Sequence, residues 1–493
     1  MRDDRAFVKN NITVLASHVL IYLQGLLLTP ILIKTSGVTL YGGYVLLISM
    51  VGFIFGISSF GVGFRCQRFL PGIEDKQKRK PLFFTQFTFQ LISILLFSLL
   101  FIVLFPYIEV FFFKGDVSFI PWLVLPYLLL FTFYSQGTDY FRYTHRMNIF
   151  NYATLTQPYL FIGLALLGYE ITQQFTVDAL LIANAVSALV VAVLLFRILV
   201  KEIGFTLELS SLKELAKDIK VGFPLVLNYM VGIILSMGDR YVIAAFMGVT
   251  AVGYYSPAYA LGAFVVFFAK VSGVVLPPMM SRLVDREDEG MAARMMDYTL
   301  KGYLLLAIPF IVGCALLAKP ILTLYTSAEL AEHAFLVMPI VALGSLFYGI
   351  NIILSNVLFV RMETGVMFRV NVLAAVLNLI LNLILLWYFK DIVMAAVTTA
   401  ISYLVAFVYV SRKVRQIWEL DMQVPVIVKS IAASIMMAAS LVWYLNVFSE
   451  SSASIGVIGV AVMLGVVVYV VGLLLLKTFS RHEWHLLRKA MTA

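Results

Sequence analysis

Apolar residues run through this chain in long blocks, and polar residues gather in the short stretches between them. Fourteen blocks are long enough to span a bilayer, near residues 12–33, 41–64, 83–106, 119–139, 149–168, 177–196, 221–246, 253–277, 302–318, 334–358, 370–388, 392–410, 426–446 and 455–476. A crossing helix needs about 20 apolar residues. The fifth block is the weakest, because Pro158 interrupts it and Tyr and Thr dilute it. The pattern predicts an all-α polytopic membrane protein with 14 transmembrane helices. Composition agrees: 62% of the residues are hydrophobic and 13% charged, whereas a soluble domain holds about 25% charged residues.

Charge sets the orientation. Of the 36 Lys and Arg residues, 29 lie on the side that carries both termini, and the opposite loops hold only Lys34, Lys114, Lys319 and Lys390. Short loops rich in Lys and Arg stay in the cytoplasm, so both termini are expected there, in a cytoplasmic (inner) membrane. Arg240, Lys270 and Lys429 remain inside apolar runs. The N-terminal MRDDRAFVKNN leads into an apolar run too long for a signal-peptide core, which argues against a cleaved signal. Cys66 and Cys314 offer neither a disulfide framework nor metal spacing.

Two stretches echo one another. Gly37–Tyr44 reads GVTLYGGY and Gly248–Tyr255 reads GVTAVGYY, at an offset of 211. Each is flanked by two apolar runs, and each second run ends in basic residues, Arg65 and Arg68 or Arg282. Both echoes read as turns between two spans. The match predicts a duplicated chain, with spans 1–6 and spans 7–12 as repeats. Six spans separate equivalent positions, so the repeats run parallel, related by an axis along the membrane normal.

The expected organisation is an N-lobe over 1–200, a linker over 201–220, a C-lobe over 221–411, added spans 13 and 14 over 412–476, and a cytoplasmic tail over 477–493. In the linker, Ser211 and Glu214 fit a capping box. Leu212, Leu215, Ala216 and Ile219 share one helical face, opposite Lys213, Lys217 and Lys220. That reads as a helix lying on the membrane surface, with a plain solvated linker as the alternative. The tail alternates Phe479, Trp484 and Leu487 with Arg481, Arg488 and Lys489, in the same manner.

Charges inside spans mark pathways or snorkel to the nearer surface. Arg240 either snorkels outward beside Asp239 or lines a cavity. Asn228, Gly232, Ser236 and Asp239 fall on one helical stripe, which favours the cavity. Lys270 divides evenly between the two readings, and Lys429 is read as snorkelling. Span 10 carries Gly344, Tyr348, Asn351 and Ser355 on one face, and span 11 carries Asn371, Asn378 and Asn382. These line a polar path or bond helix to helix. His18 in the first span either titrates or is a hydrogen-bonded structural histidine. Asp139, Arg142, His145 and Arg146 cluster at the inner end of span 4, as interfacial anchors or an entry rim. No Asp or Glu lies between Asp4 and Glu74, and Asp239 is the one acid deep in a span. The buried balance is positive, which suits an anionic or polar cargo. No phosphate-cradling GxxxxGK[ST] and no HExxH occurs.

The run GDRYVIAAFMGVTAVGYYSPAYAL, Gly238–Leu261, followed by LPPMMSRL, Leu276–Leu283, resembles the polysaccharide transporter branch of the multidrug/oligosaccharidyl-lipid/polysaccharide exporter superfamily, the Wzx-type flippases. The resemblance covers the whole chain in span count, repeat and termini. It implies two six-helix lobes around a V-shaped central cavity. It also implies a non-enzymatic function: moving an undecaprenyl-diphosphate-linked oligosaccharide to the periplasmic leaflet by alternating access, for O-antigen, capsule or exopolysaccharide assembly. Relatives use cationic cavity residues for a diphosphate. Only Arg240 lies within the matched motif; Lys34, Arg65, His18 and Lys270 are candidates by position. Asp239 is the coupling candidate, for a proton or sodium gradient if one is used. No cofactor or metal is expected, and no nucleic acid. The chain is expected to act as a monomer, beside a polysaccharide polymerase and a chain-length regulator. Alternatives are a small-molecule efflux pump of the same superfamily and a membrane-embedded glycan transferase or ligase.

Overall fold

The computed structural model describes residues 2–207, 212–419, 421, 423–448, 454–480 and 483, the side chains of 2–19, 22, 212, 274 and 275 excepted. Among them the chain is helical throughout. The helices are α1 (Arg2–Ser58), α2 (Gly63–Phe69), α3 (Lys76–Ile108), α4 (Val124–Tyr143), α5 (Met147–Thr172), α6 (Val177–Ile203), α7 (Leu212–Met247) and α8 (Val249–Gly262). There follow α9 (Val266–Val284), α10 (Glu289–Tyr325), α11 (Ala328–Ala334), α12 (Val337–Val360), α13 (Thr364–Phe389), α14 (Ile392–Val414), α15 (Val424–Val447) and α16 (Ile455–Leu475). Short polar loops supply the starts. Asp75, Thr176, Asp288, Asp391 and Ser454 each accept a bond from a backbone N–H in the first turn of the helix that follows, satisfying donors the helix itself leaves free.

Eleven helical stretches among the described residues are long and apolar enough to cross a membrane, so this is a multi-pass membrane protein. The expected spans 1 and 2 fall on α1, whose 57 residues are interrupted at Gly37, with φ 86° and ψ 169°. At 1.5 Å per residue, so long a helix far exceeds a bilayer core of about 30 Å, and the break divides it. The expected spans 4 and 5 are helical, as α4 and α5, but are not among the eleven.

Three local expectations need correcting. The echoes are not turns of several residues. In the echoes only Gly37 and its counterpart Gly248, at φ 90°, take positive φ, and the helix resumes at once, because Val38–Tyr44 and Val249–Tyr255 contain no proline. A left-handed φ suits glycine, which has no Cβ to clash. Span 8 is not one smooth helix ending at Pro277: α8 and α9 are joined by a single 3₁₀ turn at Ala263–Val265, and α9 carries both Pro277 and Pro278 inside it. Residues 212–220 are not a separate surface helix but the first turns of α7. Leu215 is buried there and Lys213, Lys217 and Lys220 are exposed. Ser211, Trp484, Leu487, Arg481, Arg488 and Lys489 lie outside the described residues.

The chain divides into two compact units, Met1–Gly253 and Tyr254–Ala493. In the first, α4 packs on α6 and α3 on α4, around rings from Phe83, Phe84, Phe87, Tyr140 and Phe141. Phe83 meets Tyr140 edge-on at 5.2 Å, a favoured geometry for aromatic pairs. In the second, α12 packs against α10, α13 and α14, and α15 and α16 lean on α10. The Tyr469 hydroxyl donates to the Leu305 carbonyl at 2.8 Å and lies 2.7 Å from Ser430 Oγ, so one side chain ties α16 to both α10 and α15.

Candidate functional site

Asp239 and Arg240 sit four-fifths of the way along α7, and both are buried, at 0% and 4% exposure. A snorkelling arginine leaves its head group accessible; this one does not. Its Nη1 donates to the Ser236 carbonyl at 3.0 Å, one turn back. Ser236 Oγ in turn bonds the Ile233 carbonyl at 3.2 Å. The stripe on α7 therefore grades from Asn228 and Gly232, which are exposed, through half-buried Ser236 to the buried pair. A guanidinium out of water interacts far more strongly with an anion than it would in solvent.

The other cationic candidates are placed differently. Arg65, on α2, pairs with Asp218 on α7 at 3.3 Å. The pair borders a cavity of about 530 Å³ that also meets Lys78, Glu214 and Gln86. Lys34 is exposed, one turn before the break at Gly37, and Lys270 is exposed on α9. The His18 side chain lies outside the described residues. Lys429 donates to the Lys477 carbonyl at 3.0 Å. Asp139 pairs with Arg142 at 2.8 Å and Arg146 with Glu202 of α6 at 2.5 Å, so the cluster at the C-terminal end of α4 holds two separate ion pairs.

The amides of the second unit fall into two groups. Tyr348, Asn351 and Ser355 on α12 and Asn371 on α13 line one cavity of about 540 Å³, with Gly273, Pro277 and Ser281 of α9 on its other side. Asn378 and Asn382 lie elsewhere, fully buried between α13 and α14. Asn378 Nδ2 donates to Thr399 Oγ1 at 3.1 Å, Asn382 Nδ2 to Asn378 Oδ1 at 3.0 Å, and Thr398 Oγ1 to Asn382 Oδ1 at 2.7 Å. These two asparagines bond helix to helix. Sequence reasoning missed Asn356 and Ser281 on the cavity wall. Asn356 stands one position off the periodic stripe, and Ser281 lies beyond the Pro277 at which the span was expected to stop.

Sequence reasoning also missed the meeting of the echoes. Thr39 and Thr250, the third residue of each copy, face each other with hydroxyls 2.8 Å apart. A Cβ on Gly42 would strike the Val249 carbonyl oxygen, and one on Gly253 the Val38 carbonyl oxygen, each at 2.2 Å. Val38 and Val249 are equivalent, as are Gly42 and Gly253, so the contact is reciprocal. The signal was present: a Thr and a Gly recur at the same places in both copies.

A family model described as polysaccharide biosynthesis protein matches residues 40–334. The chain belongs to that family. Known proteins are similar to it over different lengths. The probable low-salt glycan biosynthesis flippase Agl15 of Haloferax volcanii is 27% identical over 174 residues, 35% of this chain and 36% of that protein. The match thus spans about a third of that relative. Among solved structures, a lipid II flippase MurJ in an inward closed conformation superposes with a TM-score of 0.76 at 17% identity, over 94% of this chain and 98% of its own. An inward-facing multidrug resistance MATE family transporter of the MOP superfamily gives 0.63 at 15% identity, over 81% and 95%. This polysaccharide biosynthesis family member therefore has a helical fold like those of the MurJ flippase and the MATE transporter.

Proposed function

We propose that the chain is a flippase that carries an undecaprenyl-diphosphate-linked oligosaccharide from the cytoplasmic to the periplasmic leaflet by alternating access, for assembly of O-antigen, capsule or exopolysaccharide. The observation that carries this reading is a buried arginine inside a membrane helix of a polysaccharide biosynthesis family member. A diphosphate offers many acceptor oxygens and strong negative charge, which the planar guanidinium of Arg240 matches. The likeness to the Haloferax relative, a probable low-salt glycan biosynthesis flippase, supports a glycan cargo. In this reading the chain makes 14 crossings in the inner membrane, with both termini in the cytoplasm, and α1 crosses twice about Gly37. It makes and breaks no covalent bond. If an ion gradient drives the cycle, Asp239 is the carboxylate placed to exchange the proton or sodium. A polymerase and a chain-length regulator would take up the product, and the chain would act as a monomer.

A second reading is small-molecule efflux, which the MATE-like fold favours. Drug and cation exporters of the superfamily often place a carboxylate in the first span, and residues 5–73 hold none. That absence sets efflux second.

The test is at Arg240. Arg240→Lys keeps the charge without the bidentate fork and should retain partial function. Arg240→Ala should lose most export of surface polysaccharide while inserting normally, with lipid-linked saccharide accumulating on the cytoplasmic leaflet. Because Arg240→Ala exposes Asp239 to an altered neighbourhood, Asp239→Asn with Arg240→Ala is the control. A double variant that assembles polysaccharide at the wild-type rate refutes the role, and moves the search to Lys34, Arg65 or Lys270.

A further inference from the structure

We infer that the cavity walled by α9, α12 and α13 is a subsite for an uncharged sugar ring of the cargo, separate from whatever group binds its diphosphate. The inference rests on the flippase reading for why a sugar should reach this place. It rests on the cavity's own chemistry for which sugar.

Among the described residues no Lys, Arg, His, Asp or Glu lines the cavity, yet six of its twelve lining residues carry polar side chains. An acidic or amino sugar placed there would leave a charge without a counter-ion, which is costly. A diphosphate is excluded for the same reason. Amides and hydroxyls donate and accept together, as sugar hydroxyls do. Three helices contribute them: Ser281 from α9, Tyr348, Asn351, Ser355 and Asn356 from α12, and Asn371 from α13. They are held in place locally. Asn356 Nδ2 donates to the Ile353 carbonyl at 3.0 Å, which anchors its side chain on α12. Ser355 Oγ lies 3.5 Å from Asn351 Oδ1, one turn away on the same face of α12.

The backbone adds to the site. Pro277 lacks the N–H that would bond the Gly273 carbonyl one turn earlier, and both residues border the cavity. Ile352, Phe359 and Met367 supply the apolar part of the wall, suited to the C–H face of a pyranose. The Tyr348 ring is stacked on Tyr403 with centroids 4.5 Å apart, which fixes its orientation. A volume near 540 Å³ falls within the range of small-molecule sites, about 300–1,000 Å³, enough for one or two rings.

The experiment uses the full chain in lipid nanodiscs and saturation-transfer NMR with free methyl glycosides. The panel holds neutral hexosides, a 6-deoxyhexoside and an N-acetylhexosaminide, against a uronide and a glycosaminide. At least one neutral glycoside should bind, and the uronide should bind about tenfold more weakly or not at all, the scale of discrimination expected when a buried group is left unpaired. Tyr348→Phe should weaken the best neutral ligand several-fold. Asn371→Asp, which keeps the shape and adds a charge, should weaken it about tenfold and raise binding of the protonated glycosaminide. Thermal melts of both variants check folding. Binding of no neutral glycoside, equal binding of the uronide, or variants that bind as wild type would each overturn the inference. Flipping of lipid-linked saccharide is measured separately in proteoliposomes. Sugar binding without flipping sinks the flippase reading and leaves the subsite standing; flipping that ignores both variants sinks the subsite alone.

Discussion

Gly253→Ala is a small change with a large expected effect. Alanine normally replaces glycine in a helix with a gain of up to about 1 kcal/mol. Here the new Cβ would stand 2.2 Å from the Val38 carbonyl oxygen and 2.7 Å from Val38 Cγ1. Ordinary contact begins near 3.4 Å, so α1 and α8 must part by about 1.2 Å. That movement stretches the 2.8 Å contact between Thr39 and Thr250 to about 4 Å, past hydrogen-bond reach. Overpacking costs about 1–3 kcal/mol, and a hydrogen bond between membrane helices about 0.6 kcal/mol. The two losses are not independent. Thr39→Val alone should lower the apparent unfolding midpoint of the purified protein slightly. Added to Gly253→Ala it should lower it no further, because the hydroxyls are already apart. Gly52→Ala, in α1 with nothing within 4 Å of the new Cβ, is the control and should be neutral or stabilising. If Gly253→Ala melts like Gly52→Ala, or if its cost adds fully to that of Thr39→Val, the echoes do not meet backbone to backbone.

Asn382→Leu should destabilise the protein by about 1–3 kcal/mol, because it strips Thr398 and Asn378 of a buried partner, while transport per folded molecule stays near wild type; thermal melts alongside a reconstituted flip assay check both halves. Burial alone would raise the Glu483 carboxyl, but bonds from Lys301 and Ser480 hold it below its ordinary value. The Lys301–Glu483 pair, at 2.8 Å, therefore contributes stability above the unfolded glutamate pKa of about 4.3 and loses it as pH falls further. Glu483→Gln should accordingly make the segment near Phe479 more protease-sensitive at pH 7, with a difference from wild type that shrinks as pH falls below about 4.3. Cysteines placed at Lys114 and Lys319 should label from outside intact cells and those at Lys76 and Lys213 should not; outside labelling of residue 213 would overturn the orientation.

Much of the fold was legible because a bilayer imposes a one-dimensional code. Only a helix satisfies its backbone inside hydrocarbon, so apolar runs predict helices, and the positions of Lys and Arg carry the expected orientation. The echo was legible too, since Gly37 and Gly248 recur at equivalent places and both take positive φ. Arg240 drew notice because a charge in an apolar run is conspicuous, and the Gly238–Leu261 motif carried the family.

Other features depended on contacts that periodicity does not encode. Asn371 and Asn378 share one helix and one stripe, yet one lines a cavity and the other is spent on Thr399; which occurs depends on whether α9 or α14 stands opposite. Arg65 reads from sequence as a lone cation, and its ion pair exists because α7 begins early enough to bring Asp218 beside α2. The reciprocal fit of Gly42 and Gly253 needs α1 to lie against α8, 211 residues away. The sequence by itself thus determined the helices and the expected sidedness, because those follow from the solvent. Only the tertiary structure decided which polar groups are consumed by other helices and which are left to face a cavity, because a hydrogen bond belongs to two residues and the sequence shows them one at a time.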